Sequence, residues 1–163
     1  LIITDIDSVE PDSTKKAELE SGKGLLTSNV TLRDWIPGKE KIDALLNKST
    51  SKESADGAIR VTYQNNVNTG TEPIKCGRSF EEAFIIDNHA YVFNNKVKLL
   101  SIKCQLKDYQ NSGEIKTKSF EVREFIDRNK KKTEFAFDLL NINKDKDAWL
   151  VPTYIKEGLI WLA

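Results

Sequence analysis

Apolar positions along the chain alternate between short β-branched runs and stripes at helical spacing. Leu1 to Thr4 is such a run, the composition of a buried strand, and it stops at Asp5. From Ser8 to Gly24 the chain is polar and charged, carries Pro11, Ser13 and Gly22, and is expected to form a loop or an inserted excursion. Leu25-Leu26-Thr27-Ser28-Asn29 follows, where Ser28 or Asn29 suits a helix N-cap. Leu32, Trp35 and Ile36, then Ile42, Leu45 and Leu46, predict two short helices broken at Pro37-Gly38, the second ending near Asn47. Residues 48–57 read as a loop, and Ile59, Val61 and Tyr63 alternate within a second strand from Ile59 to Gln64. After another loop over 65–77, Arg78 to Asp87 predicts a helix with Phe80, Ala83 and Phe84 on its apolar face. Residues 88–105 are mixed and lysine-rich, without a clear period. Phe120 to Ile126 and Lys132 to Leu140 predict helices, separated by the basic run from Arg128 to Lys132. Trp149 to Pro152 reads as extended, and Tyr154 to Leu162 as an amphipathic helix with Ile155, Leu159 and Leu162 turned inward. The pattern is that of an α/β fold with few strands, and without an internal repeat or linker residues 1–163 are expected to form a single domain.

Composition narrows the functional classes. The length of 163 residues suffices for a hydrophobic core, and 39% hydrophobic with 31% charged residues is a globular rather than a disordered balance. No apolar run approaches the roughly eighteen residues of a membrane span. No basic leader with an apolar segment opens the sequence, so a cytoplasmic protein is expected. The sequence begins at Leu1, already within an apolar run, which leads us to expect a fragment of a longer protein. Equal numbers of basic and acidic residues, 25 of each, argue against a nucleic-acid-coating protein. They leave room for an enzyme that meets DNA through a local patch. Cys76 and Cys104 lack metal or redox spacing, and a single histidine, His89, excludes a His-rich zinc site. No nucleophile-elbow motif accompanies that histidine, so acid, base or metal chemistry falls to carboxylates and lysines.

Asp5-Ile6-Asp7 is the strongest chemical signal. Residues i and i+2 of a strand face the same way, so both carboxylates are expected to converge at the strand's C-terminal edge, where α/β sheets bind ligands. Two nearby carboxylates resist ionising together unless a cation lies between them. Mg²⁺ or Mn²⁺, hard ions with oxygen ligands, meets that need. Two enzyme classes place such a motif after a buried strand. In haloacid-dehalogenase-like phosphatases, DxDx[TV] is matched by Asp5-Ile6-Asp7-Ser8-Val9, with Asp5 as nucleophile and Asp7 as general acid/base. Leu25-Leu26-Thr27-Ser28 resembles that family's hydroxyl-bearing second strand. In Toprim domains the two aspartates bind metal for phosphodiester chemistry, and the local motif suits both classes.

The rest of the chain carries a more specific resemblance. Thr27-Ser28-Asn29 with Leu32-Arg33-Asp34-Trp35-Ile36 comes first, then Gly77-Arg78-Ser79-Phe80-Glu81-Glu82-Ala83-Phe84. Lys132-Thr133-Glu134-Phe135-Ala136-Phe137-Asp138 follows, and Trp149-Leu150-Val151-Pro152 with Tyr154-Ile155-Lys156-Glu157-Gly158-Leu159 closes the series. In this order the segments resemble the Toprim region of the OLD (overcoming lysogenization defect) family of ATPase-nucleases, over nearly the whole chain. The resemblance implies a partial Toprim-like Rossmannoid sheet, its upstream strand missing, with additional helices within 118–163. It implies DNA as substrate, a two-metal Mg²⁺ or Mn²⁺ site, a dimer in the full-length protein, and ATP only through an N-terminal ABC-type ATPase domain outside this chain.

By the same resemblance Asp5 and Asp7 are metal ligands, and Asp5 is also catalytic. Ser79 and Glu81 complete a second metal's shell, and Lys132 steadies charge on the phosphate or leaving oxygen. Arg78 and Ser28 are candidate phosphate or DNA contacts. Plainer readings stand beside these. Arg78 and Glu81 suit an i, i+3 surface ion pair, Ser79 a helix cap, Thr27 to Asn29 a turn and cap, and Lys132 a solvated lysine run. Toprim domains also carry a glutamate ahead of DxD, which nothing before Leu1 supplies, so this piece alone is expected to bind metal weakly and cut poorly. A non-catalytic Toprim-like assembly domain is the remaining alternative.

Overall fold

The computed structural model describes residues 1–65, 76–142 and 149–163; most of the expected loop over 65–77 lies outside them. The chain gathers into two compact units, one of residues 1–80 with 152–163 and the other of residues 81–151.

The first unit is built on a parallel strand pair, β1 (Ile2–Ile3) and β4 (Val61–Thr62), in the register Ile2↔Val61 and Ile3↔Thr62. Backbone bonds from Ile2 N–H to Arg60 O (2.8 Å) and from Thr4 N–H to Thr62 O (3.0 Å) extend the ladder at each end. It stops there because the next buried amide, that of Ile6, donates to the Gln64 side chain instead of to a strand. The expected strands from Leu1 and Ile59 are therefore present but shorter, and β1 is not the buried strand expected, with Ile2 only partly buried and Ile3 42% exposed. A second, antiparallel pair joins β2 (Ser8–Val9) to β3 (Leu26–Thr27). This corrects the expected loop from Ser8 to Gly24, whose first two residues are a strand. Two residues show no period, and Ser8 holds a buried position because its hydroxyl donates to Ala17 O at 2.7 Å.

Helix α1 (Val30–Asp34) starts at Asn29, whose Oδ1 accepts from Thr31 and Leu32 N–H, as the N-cap expectation required. It ends before Pro37, so Trp35 leaves the helical period and stands 52% exposed; the expected inward stripe reduces to Leu32 and Ile36. Helix α2 (Ile42–Leu45) follows. Ile6, Leu19, Leu32, Ile42, Leu45, Val61 and Tyr63 form the core, each at most 1% exposed.

The closing helix, here labelled α9 (Thr153–Leu162), packs on β1 and β4. Its inward face is Tyr154 and Gly158, whereas Leu159 and Leu162 are 50% and 61% exposed and Ile155 is only half-buried. This corrects the expected apolar face. A side chain at 158 would press on Thr62 and Leu1, so close approach to the strands selects the glycine face over the leucine face.

The second unit is helical: α3 (Phe80–Asp87), α4 (His89–Asn94), α5 (Lys103–Leu106), α6 (Ser112–Thr117), α7 (Ser119–Arg128) and α8 (Lys132–Ile142). Helix α6 packs on α4 and α7, and α7 also packs on α5 and α8. Phe84 lies edge-on to Phe135 and Trp149, with centroids 6.0 and 5.3 Å away. Asn88 fastens the extended end, donating to Leu150 O (2.9 Å) and accepting from Leu150 N–H (2.6 Å). The fold class is α/β, a small parallel sheet with several helices, in line with a partial Rossmann-like sheet. No helix among the described residues is long and apolar enough to cross a membrane.

Candidate functional site

Asp5 and Asp7 follow β1 at its C-terminal end, and every backbone carbonyl between them is tied down. Three consecutive residues after β3 do this. Thr27 Oγ1 donates to Ile6 O (2.6 Å), Ser28 Oγ to Asp7 O (3.1 Å), and Asn29 Nδ2 to Asp5 O (2.7 Å). Asn29 thus caps α1 with its oxygen and holds the loop with its nitrogen, where a further bond reaches Thr4 Oγ1 (2.7 Å). The Thr27 hydroxyl also accepts from Asn29 N–H at 3.0 Å and is buried, so it is engaged as both donor and acceptor.

The expectation that strand alternation aligns the two carboxylates is corrected in its premise. The strand ends at Ile3, and Asp7 has φ 49°, in the left-handed region. Aspartate is among the few residues with a side chain that adopt this conformation readily. Each carboxylate has its own partner. Gln64 Nε2 donates to Asp5 Oδ1 at 2.6 Å, while the same carboxamide's oxygen accepts from Ile6 N–H at 2.7 Å. Arg78 Nη2 lies 3.3 Å from Asp7 Oδ1, its Nε donates to Ser8 O at 3.2 Å, and its carbonyl accepts from Asp7 N–H at 3.0 Å. Arg78 is 3% exposed and precedes α3, and an ion pair runs from its guanidinium to Asp7. Ser79 is buried beside it in sequence, and Ser28 is exposed.

Glu81 and Lys132 belong to the second unit. Lys132 opens α8 with Nζ 3.5 Å from Glu81 and 3.3 Å from Asp127 at the end of α7. Partial burial disfavours the lysine's charge, but the two carboxylates outweigh it and hold its pKa above the ordinary value. Asp127 accepts in turn from Arg123 Nη1 at 2.7 Å, and Arg123, fully buried, lies 4.0 Å from the buried Glu82. Sequence reading missed Gln64, Asn29 as a loop clamp, and the Arg123–Asp127 pair. Their partners stand far off in sequence or within helices whose charges look solvated; Asn29 alone left a trace, as a cap.

The side-chain donors at the Asp5–Asp7 loop are oxygens, the ligand type that hard divalent ions prefer. Three or more Asp, Glu, His or Cys side chains nowhere gather as a metal site among the described residues. Two carboxylates with the remaining positions filled by water and phosphate oxygens is an ordinary Mg²⁺ arrangement. A cavity of about 540 Å³ in the same unit, lined by Lys52, Arg60 and Glu157 among others, includes none of these carboxylates.

No family model matches the chain, and no solved structure matches it. It is 30% identical over 174 aligned residues to endonuclease GajA of Bacillus cereus (strain HuB5-5). That alignment takes in all of this chain and 23% of the relative, so the chain spans under a quarter of that protein's length.

Proposed function

We propose that this chain is the metal-dependent, phosphodiester-cleaving portion of a DNA endonuclease of the OLD type, Toprim-like in its use of Asp5 and Asp7. The observation that carries the reading is the tethered Asp5–Asp7 loop at the C-terminal end of a parallel strand. Similarity along the whole chain to a protein named as an endonuclease supports it.

Bound Mg²⁺ or Mn²⁺ would neutralise phosphate charge and lower the pKa of water. Asp5 and Asp7 hold the ion, and the buried Ser79 hydroxyl adds a neutral oxygen donor. Arg78 keeps Asp7 in place from a buried position and leaves contact with the DNA backbone to exposed groups such as Ser28. By the family resemblance alone, and not by its place in the fold, Glu81 is assigned as a further carboxylate ligand. Lys132 is assigned to steady negative charge on phosphate, with its cationic form favoured by Glu81 and Asp127. Of the two hydroxyls in Thr27-Ser28 that a phosphatase could direct at phosphate, that of Thr27 is already bound to Ile6 and Asn29, which supports the nuclease reading over the phosphatase one.

The test compares the intact protein with its Asp5→Ala and Asp7→Ala variants on supercoiled plasmid with Mg²⁺ or Mn²⁺. Nicking by the wild type and its loss by at least 100-fold in both variants is expected, the scale of removing a group that stabilises transition-state charge. Phosphate release from small esters without plasmid cleavage would overturn the nuclease reading in favour of a phosphatase.

A further inference from the structure

We propose that Gln64 is a positioning residue for the Asp5 carboxylate, a role that rests on the reading of Asp5 and Asp7 as metal-holding groups. The parallel register sets it up. Thr62 stands beside Ile3, and two residues further along each chain the Gln64 side chain reaches the Asp5 carboxylate. Gln64 is 1% exposed, and its carboxamide has a forced orientation. Ile6 N–H can only donate, and it points at Oε1 (2.7 Å), so the NH₂ group must face Asp5 Oδ1 (2.6 Å). A neutral, buried amide bound to a carboxylate makes a charge-assisted bond without cancelling the carboxylate's charge. One oxygen of Asp5 is thereby fixed, and the rotamer with it, by a partner that carries no charge of its own.

The same side chain ties the amide of Ile6 to the strand that carries Gln64. Rotation of Asp5 and movement of the loop backbone are therefore restrained together, before any ion arrives. Partners of this kind, hydrogen-bonded to a ligating carboxylate, tune affinity through geometry. Arg78 does a different job at Asp7, where the partner is itself a cation.

The test takes the intact protein with Mn²⁺ alone, counting free Mn²⁺ by electron paramagnetic resonance and following folding by circular dichroism. Wild type is expected to take up Mn²⁺, and Asp5→Ala to lose that uptake. Gln64→Met keeps the side-chain length but neither accepts from Ile6 nor donates to Asp5. It is expected to fold and to bind Mn²⁺ about 10- to 100-fold more weakly. Wild-type affinity in folded Gln64→Met would overturn the positioning role and leave the metal reading standing. No uptake by wild type would overturn the metal reading and this role with it. If Gln64→Met does not fold, the side-chain amide protons of Gln64 decide by NMR. They are expected downfield and slow to exchange in wild type, and shifted to free-amide values in Asp5→Ala. Unshifted resonances there would overturn the contact.

Discussion

Lys132 stands at 3.5 Å from Glu81 and 3.3 Å from Asp127, and this placement has a consequence for pH. Partial burial works against its charge, yet the two carboxylates win and raise its pKa in the folded chain. A lysine raised on folding stabilises fully below its unfolded pKa, about 10.4, and that contribution disappears as pH rises through the folded value. Because its side chain is half exposed, the contribution is screened and stays within about 1 kcal/mol. Urea unfolding should therefore show Lys132→Met less stable than wild type at pH 7, with the gap closing above about pH 10. A gap that does not change with pH would sink this account. Sequence could not choose among Lys130, Lys131 and Lys132 by composition; resemblance pointed to Lys132, and structure gives Lys131 a different partner, Glu134. Asp5 and Asp7 were legible because an apolar run precedes them, although that run is not buried as its composition suggests: Ile3 stands 42% exposed. Gln64 was not, since its partners lie 58 and 59 residues away.

Helix α9 shows what hydrophobic spacing leaves undecided. Leucine and isoleucine at 155, 159 and 162 predict one inward face, but the strands receive Tyr154 and Gly158. A Cβ at Gly158 would lie 3.0 Å from Thr62 Oγ1 and Leu1 Cδ1, and 3.1 Å from Thr62 Cγ2. Leu1 can swing its tip away, whereas Thr62 is β-branched, buried and within β4, so it has little freedom to yield. Alanine gains about 1 kcal/mol in helix propensity, against about 1–3 kcal/mol for overpacking. Gly158→Ala is therefore expected to lower the urea midpoint, and adding Thr62→Ala should recover part of the loss. A Gly158→Ala variant more stable than wild type would mean that the helix shifts at no cost. The helices α7 and α8 were readable because they run for ten and eleven residues. The strands of two residues, and α5 with four, are too short to show a period, and tertiary bonds such as Ser8 to Ala17 define them instead.

At the scale of the whole molecule, each compact unit has its own apolar core, and the second also encloses charge. Arg123 is fully buried on α7, pairs with Asp127 at 2.7 Å, lies over the Phe120 ring at 4.7 Å and approaches buried Glu82 at 4.0 Å. Its Nε and Nη2 make no hydrogen bond, so charge and ring contact hold it rather than a complete set of donors. Nothing in Ser119–Arg128 marks Arg123 as interior, because a charged residue on an amphipathic helix ordinarily faces water. Arg123→Met preserves most of the packed volume but leaves Glu82 and Asp127 without this cation. Removing one partner of a buried charge group costs about 3–5 kcal/mol, far more than a surface pair. If the two units keep separate cores, that loss stays local. Hydrogen exchange should then show amide protection falling across residues 81–142 while the strands and Tyr63 of the first unit keep theirs. An equal fall in both units would instead reveal one cooperative structure, in which the Asp5–Asp7 loop depends on a guanidinium far along the chain.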